Sequence, residues 1–404
     1  MAAHLFPRDL PEREWTEFAA DGYDSPVSGL IHRGSNPPGC GVPLGGIDTG
    51  CLDIEARGLL GYASIFNSLV PRRGPINLPF LGISVEGQTW VLTTLDVAWR
   101  DGLSWADQYT GKYYSGVKTA QEIHYWGHYP VCDMEYVTDA PVTVSLRSWS
   151  PFIPGDVAAS NTPGAVFEVR LANQTDESKS GSLAFSFPGP TEEEAGTTVF
   201  EREVLGETLY GSSVTSIQAS YVLAVVDEQS VRLGAVRIGG DLGMDGEAWG
   251  TIEQFLPHVE KGAGSSVAVD YTLDAGEERV FHFVLAWHSP VWMGGGKMTA
   301  GGNPYTHMYA KRFDSAKATA LHLAEKHESL LDRILKWQSA VYESTKYPVW
   351  LRDSLINMLH LITETSVWAQ AKSPVGDWCQ SEDGIFGMSE SPRFCPQIEC
   401  IPCS

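Results

Sequence analysis

The sequence predicts a β-sandwich followed by α-helices, and three observations carry that prediction. From about residue 50 to about residue 290, apolar and polar residues alternate with a period of two. Turn-forming residues punctuate those runs. After about residue 310 the apolar spacing changes to that of helices.

Residues 1 to about 38 read as an irregular lead-in. Gly39 to Ile54 then reads G-C-G-V-P-L-G-G-I-D-T-G-C-L-D-I. Its glycines do not have the dinucleotide-binding spacing, and no lysine stands where a phosphate loop needs one. The stretch reads instead as a tight turn feeding a strand over Cys51 to Ile54. Beyond it, Val142, Val144 and Leu146 alternate with Thr143, Ser145 and Arg147. Phe167, Val169 and Leu171 alternate with Glu168 and Arg170, and Leu183, Phe185 and Phe187 repeat the pattern, as do Phe281, Phe283 and Leu285. Each run implies one buried and one polar face, as in an antiparallel sheet. Pro154-Gly155-Asp156, Pro163-Gly164 and Asp274-Ala275-Gly276 mark turns between them.

Between Ser315 and Tyr342, the residues Leu321, Ala324, Leu331, Leu335 and Tyr342 recur at helical spacing. A second helix starts after Pro348, with Leu351, Leu355, Met358, Leu359 and Ile362 on one stripe. Amphipathic helices must bury their stripes. Only about forty residues follow, and these read as loop, so both helices are expected to expose apolar area. The chain also stops on I-E-C-I-P-C-S, an apolar and sulfur-bearing end. The expectation is that it belongs to a longer protein.

Bulk composition narrows the function classes. The chain has 404 residues, 43% hydrophobic and 11% aromatic, with thirteen tryptophans. Tryptophan faces suit sugar rings, but Trp is equally a core residue. A net charge of −22 argues against nucleic acid and anionic membranes as partners. No segment has the apolar length of a membrane span, and the N-terminus lacks the apolar core of a secretory signal. A cytoplasmic protein is therefore expected. Seven cysteines in a chain this long do not suggest a disulfide framework.

Two clusters invite a metal reading. His124-Tyr125-Trp126-Gly127-His128-Tyr129-Pro130 lacks the acidic base of a zinc-protease helix, and its Gly and Pro oppose helix, so structural packing is favoured. Cys395, Cys400 and Cys403 have the C-x4-C-x2-C spacing of some iron–sulfur sites, but no fourth cysteine follows. No metal and no other cofactor is expected. No G-x-S-x-G elbow is present. What remains is carboxylate chemistry in Val375 to Ser404, where Asp377, Glu382, Asp383, Glu390 and Glu399 stand among Gly, Pro and aromatic residues. Such surroundings tune a carboxyl group for acid, base or nucleophilic work.

G-V-P-L-G-G-I-D-T-G at 41–50 resembles the G-x-P-L-G-G-I-G-T-G signature of glycoside hydrolase family 116, which includes the non-lysosomal glucosylceramidase and bacterial β-glucosidases. Y-P-V-C-D-M-E-Y (129–136), S-W-S-P-F-I-P-G-D (148–156), F-V-L-A-W-H-S-P (283–290) and the segment 350–368 resemble further family segments, in order. The resemblance implies a β-sandwich N-terminal domain (1–310) followed by the first helices of an (α/α)6 barrel (311–404). It implies a retaining glycosidase acting on a β-glucoside or other β-glycoside. Phe386-Gly387-Met388-Ser389-Glu390 matches the family's F-G-x-x-E, which nominates Glu390 as nucleophile. Asp48 departs from a usual glycine, and the residues after Glu390 also depart, which keeps Glu399 as an alternative. The acid/base aspartate is expected beyond Ser404, so the chain alone is expected to be inactive. A non-catalytic carbohydrate-binding or scaffold protein is the alternative function, and a redox or metal protein built on the C-terminal cysteines is a third.

Overall fold

A computed structural model describes residues 4–69, 72–94, 117–259, 261–292, 304–371, 378–391 and 395–399. Its largest sheet has ten antiparallel strands. In spatial order they are Trp15–Phe18, Val27–Arg33, Glu122–His128, Val131–Val137, Val142–Trp149, Gly164–Asn173, Glu278–His288, Ser220–Val226, Leu209–Thr215 and Glu201–Leu205. A second sheet of six strands faces it, in the order Val236–Gly239, Ser265–Leu273, Lys179–Phe187, Leu81–Val85, Gln88–Val91 and Lys118–Thr119. A small sheet of four strands, Val42–Gly45, Cys51–Glu55, Leu59–Ala63 and Leu78–Pro79, stands beside them.

The alternation read from the sequence builds the core between the sheets. Val144, Leu146, Phe167, Val169, Phe283 and Leu285 of the large sheet meet Leu183, Phe185, Phe187 and Val267 of the second. The small sheet adds Leu44, Leu52, Ile54 and Leu60 to the same cluster. The aromatic run at 124–130 lies on Glu122–His128 and just after it, with His124, Tyr125, Trp126, His128 and Tyr129 all buried.

The other face of the large sheet differs from the expectation of a solvated surface. Helix α1 (Ala316–Tyr342) lies along it. Ala316, Ala320, Leu323, Leu330 and Ile334 pack on Val166, Val222, Ala224, Val284 and Ala286. Leu323 and Ile334 are wholly buried, whereas Leu321 is left exposed. The longer helix thus has its partner within the described residues, and it shares a core with the sandwich. The N-terminal lead-in covers more of this face, with Leu5, Phe6 and Phe18 against Trp126 and Tyr342.

Burying that face buries its polar residues, and each must then find a partner. Arg147 donates from Nε and Nη2 to the two oxygens of Asp133, at 2.9 and 2.8 Å. His128 Nε2 lies 3.4 Å from Asp133 Oδ2. Glu135 accepts from the backbone N–H of Leu5 at 2.6 Å.

The segment after Pro348 also differs from the single long helix expected. It forms α2 (Val349–Asn357) and α3 (His360–Thr365), then turns into a strand, Ser366–Ala369. Trp350, Met358 and Leu361 stay exposed. The stretch expected to be loop holds two more strands, Ile385–Ser391 and Cys395–Glu399, which join Ser366–Ala369 in a three-stranded sheet. Cross-strand pairing decides the conformation here over a local composition rich in Gly and Pro. The described helices form no barrel.

Candidate functional site

The two nominated carboxylates lie on neighbouring strands of this three-stranded sheet. Ile385–Ser391 pairs antiparallel with Ser366–Ala369, with Trp368 opposite Phe386 and Ser366 opposite Met388. On its other side Met388 faces Glu399 and Ser389 faces Ile398. The register then shifts between Ser389 and Ser391, which puts Glu390 at a bulge. Bulges of this kind commonly re-aim a side chain near an active site. The side chains of Glu390 and Glu399 lie outside the description, as do Asp377, Cys400 and Cys403 and the side chain of Cys395.

The sheet's position is set by the loop of the G-V-P-L-G-G-I-D-T-G signature. That loop joins strands Val42–Gly45 and Cys51–Glu55 and is tied down on the sandwich side. Ile47 N–H donates to the Ser160 carbonyl at 2.7 Å. Asn161 Nδ2 donates to the Ile47 carbonyl, and Trp287 Nε1 to the Thr49 carbonyl, each at 2.7 Å. Any Cβ at Gly46 would strike the Ser160 carbonyl oxygen, which explains a glycine there.

Asp48 is the residue this loop turns towards the three-stranded sheet. It is buried and has a φ of +65°, the left-handed region. A glycine adopts that conformation freely, and Asp is among the few other residues that tolerate it. The apparent departure from the family pattern therefore meets the same backbone demand. Asp48 Oδ1 accepts from Trp368 N–H at 2.7 Å, and Oδ2 accepts from Met308 N–H at 2.9 Å. His307 Nδ1 lies 2.6 Å from Oδ1. The Asp48 N–H in turn donates to Ser366 Oγ at 3.1 Å. Burial pushes the Asp48 carboxyl up, His307 and the two amides pull it back, and the net direction is upward.

His307 extends the network. Its Nε2 lies 2.7 Å from Asn67 Oδ1. Asn67 Nδ2 donates to the Ser289 and Val291 carbonyls at 2.9 and 2.8 Å, which fixes the amide so that its oxygen accepts from His307. A second tie runs through Arg72, which is buried. It donates to Asp53 Oδ1 at 3.0 Å and to Glu364 Oε2 of α3 at 2.9 Å. It also donates to Cys51 Sγ, whose thiol burial pushes up to about 12. Neither Asp48 nor Arg72 was nominated from the sequence. The signal available for Asp48 was an acidic residue in a glycine turn.

A cleft of about 400 Å³ separates α2 from the sandwich, lined by His32, Tyr125, Tyr129, Asp353, Asn357 and Met358 among others. Asp353 is buried there and accepts from Trp15 Nε1 at 3.0 Å and from Asn357 Nδ2 at 2.9 Å. Burial pushes its carboxyl up to about 6, against the pull of those two donors. No helix among the described residues is long and apolar enough to cross a membrane.

A solved structure described as a kojibiose phosphorylase from the human microbiome aligns with 88% of this chain at 8% identity and a TM-score of 0.28. This chain spans 35% of that one. The family described as beta-glucosidase 2, glycosyl-hydrolase family 116 N-term, matches residues 41–330. That match starts at the signature loop, takes in the six-stranded sheet and eight of the ten strands of the large one, and ends within α1, and on it this chain belongs to glycosyl-hydrolase family 116.

Proposed function

We propose that this chain is part of a retaining glycoside hydrolase of β-glucosidase or glucosylceramidase type, cleaving β-linked glucosides. Glu390 is the proposed nucleophile, and Glu399 is its alternative. Family membership supports the reaction class. One observation supports the placement of Glu390: its strand pairs with Ser366–Ala369, which Asp48 fastens to the family's signature loop. A nucleophile needs such a rigid mount, since small misplacements forfeit much of the rate.

In a retaining mechanism two carboxyl groups stand about 5–5.5 Å apart. The ionised one attacks the anomeric carbon and forms a glycosyl ester, while the other gives its proton to the departing glycosidic oxygen. That second group then takes a proton from water, and the water oxygen attacks the anomeric carbon. The ester bond breaks, the carboxylate is regenerated and the sugar leaves with its configuration retained. By the family resemblance the acid/base is an aspartate beyond Ser404, carried on a helical barrel with most of the sugar contacts. On this reading residues 1–404 alone do not turn over substrate.

The test is a mechanism-based trap on a form of the protein extended past Ser404. A 2-deoxy-2-fluoro-β-glucoside with a good leaving group is incubated with it, and the digest is sequenced by mass spectrometry. Label on Glu390 is the expected result, and label on Glu399 transfers the role. Sugar binding with neither label nor turnover of aryl β-glucosides would replace the glycosidase reading with the carbohydrate-binding one.

A further inference from the structure

Where α1 crosses the large sheet, three side chains from three elements converge. Glu228 precedes the short helix Gln229–Arg232, His282 lies on Glu278–His288, and His327 lies on α1. One ligand-capable atom from each lies within 4.8 Å of the other two. Glu228 Oε2 is 2.8 Å from His282 Nδ1, and Glu228 Oε1 is 3.2 Å from His327 Nε2. A cleft of about 340 Å³ opens on the two histidines, lined also by Glu168, Glu328 and Asp332.

The surrounding acceptors set both imidazoles. His327 Nδ1 is 2.8 Å from the Ala324 carbonyl oxygen, which can only accept, so Nδ1 carries the hydrogen. In the neutral ring this turns the Nε2 lone pair towards a carboxylate oxygen. Two acceptors then face each other, and no hydrogen bond of good geometry reaches Nε2. His282 Nε2 faces Glu168 Oε2 at 3.7 Å, which leaves Nδ1 to face Glu228. Each ring is thus backed by an acceptor and presents its other nitrogen to a common point. Metal-ligating histidines are oriented in this way.

The geometry points to a site for a divalent transition-metal ion of the zinc class, ligated by Glu228, His282 Nδ1 and His327 Nε2, with a further position open to the cleft. Two imidazole nitrogens and one carboxylate suit zinc-like ions, whereas calcium and magnesium prefer all-oxygen sets. Bonds of about 2.0–2.1 Å in a tetrahedron put ligand atoms roughly 3.3 Å apart. Here His282 faces Glu228 Oε2 and His327 faces Oε1, so the carboxylate must swing to offer one oxygen to the ion, and the three ligand atoms, within 4.8 Å of one another, must draw in around it. The ion cross-links α1 to strand Glu278–His288 of the large sheet, and none of its ligands lies on the sheet that carries Glu390.

The test uses residues 1–404 freed of metal with a chelator and titrated with zinc chloride by calorimetry, with cobalt(II) as a spectroscopic substitute. One ion bound per chain, with a raised melting temperature, is the expected result. Glu228→Gln and His327→Gln should abolish that binding. Glu168→Gln, which backs His282 through Oε2 while its Oε1 accepts from Arg170, should weaken it about 10–100-fold. Circular dichroism confirms that the variants fold. If His327→Gln does not fold, the unaltered chain and Glu228→Gln decide the matter. Absence of a stoichiometric ion on the unaltered chain overturns the proposal. So does binding that survives Glu228→Gln and His327→Gln, which would place the ion on cysteines or elsewhere.

Discussion

Asp48 Oδ1 accepts a hydrogen bond from the backbone N–H of Trp368 at 2.7 Å, across 320 residues of sequence. This bond joins the signature loop to the strand that pairs with the Glu390 strand. Asp48 also takes the Met308 amide and His307, so one carboxylate holds two segments that follow the sandwich.

Asp48→Ala should leave two backbone amides and His307 without their acceptor. The expected loss is about 3–5 kcal/mol, the usual consequence of removing one partner of a buried charged network. Chemical denaturation measures the loss. Hydrogen exchange should show the Trp368 and Met308 amides losing protection ahead of the sandwich core. Uniform loss over the whole molecule would contradict a local clasp.

Asp353 should make stability depend on pH in a sense unusual for a carboxylate. Its folded pKa of about 6 stands above the unfolded value, so folding favours its protonated form. Its contribution is fully present below about pH 4 and is lost as pH rises through about 6. Asp353→Asn removes that dependence. Between pH 4 and pH 8 the variant should gain up to roughly 3 kcal/mol relative to the unaltered chain. Denaturation curves at both pH values check this, and a constant difference would refute the buried state of Asp353.

Asp133 should act in the opposite sense. Burial pushes its carboxyl up, but Arg147 and His128 outweigh burial and hold it well below the usual range. The stability it contributes is present above about pH 4 and is lost as pH falls through the lower folded value. Asp133→Asn removes the buried, bidentate counter-charge of Arg147, leaving only the half-exposed Asp21 at 3.6 Å, and should lower stability by about 3–5 kcal/mol at neutral pH. Arg147→Met combined with Asp133→Asn should recover much of it, a double-mutant cycle that a purely steric defect would not satisfy.

Leu323→Ala tests whether α1 belongs to the sandwich. Leu323 is fully buried on the sheet, and the loss should be about 2–5 kcal/mol in the same cooperative transition that unfolds the sheets. A change confined to the helix, with the sheet transition unmoved, would separate the two.

Glu390→Gly in a form extended past Ser404 should lose hydrolysis by several orders of magnitude. Azide or formate should restore turnover by occupying the vacated place. Rescue seen only in Glu399→Gly would transfer the role.

The sandwich was legible because burial on one face writes itself into period-two alternation: Val144, Phe167, Phe185 and Phe283 all lie in the shared core. What covers the opposite face was not legible. Arg147 and Glu168 look like solvent residues in their strands, and only tertiary packing reveals α1 and the N-terminal lead-in above them. The shift from helix to strand at Ser366 was hidden because its pairing partner lies some twenty residues later, beyond a glycine turn. Glu228, His282 and His327 lie on separate elements, and no local spacing links them. The signature loop was recognised by resemblance, but the task of Asp48 within it depends on contacts with residues 307–368.

Strand Glu278–His288 has one further consequence, for synthesis. It lies between Gly164–Asn173 and Ser220–Val226, although it comes after both in the chain. A nascent chain that ends before Glu278 therefore holds the large sheet as two unconnected pieces, six strands and three, each with a raw edge. Such edges recruit other strands. Ribosome-bound chains halted before Glu278 should engage chaperones and aggregate on release. Chains that have delivered His288 should close the gap and resist proteolysis.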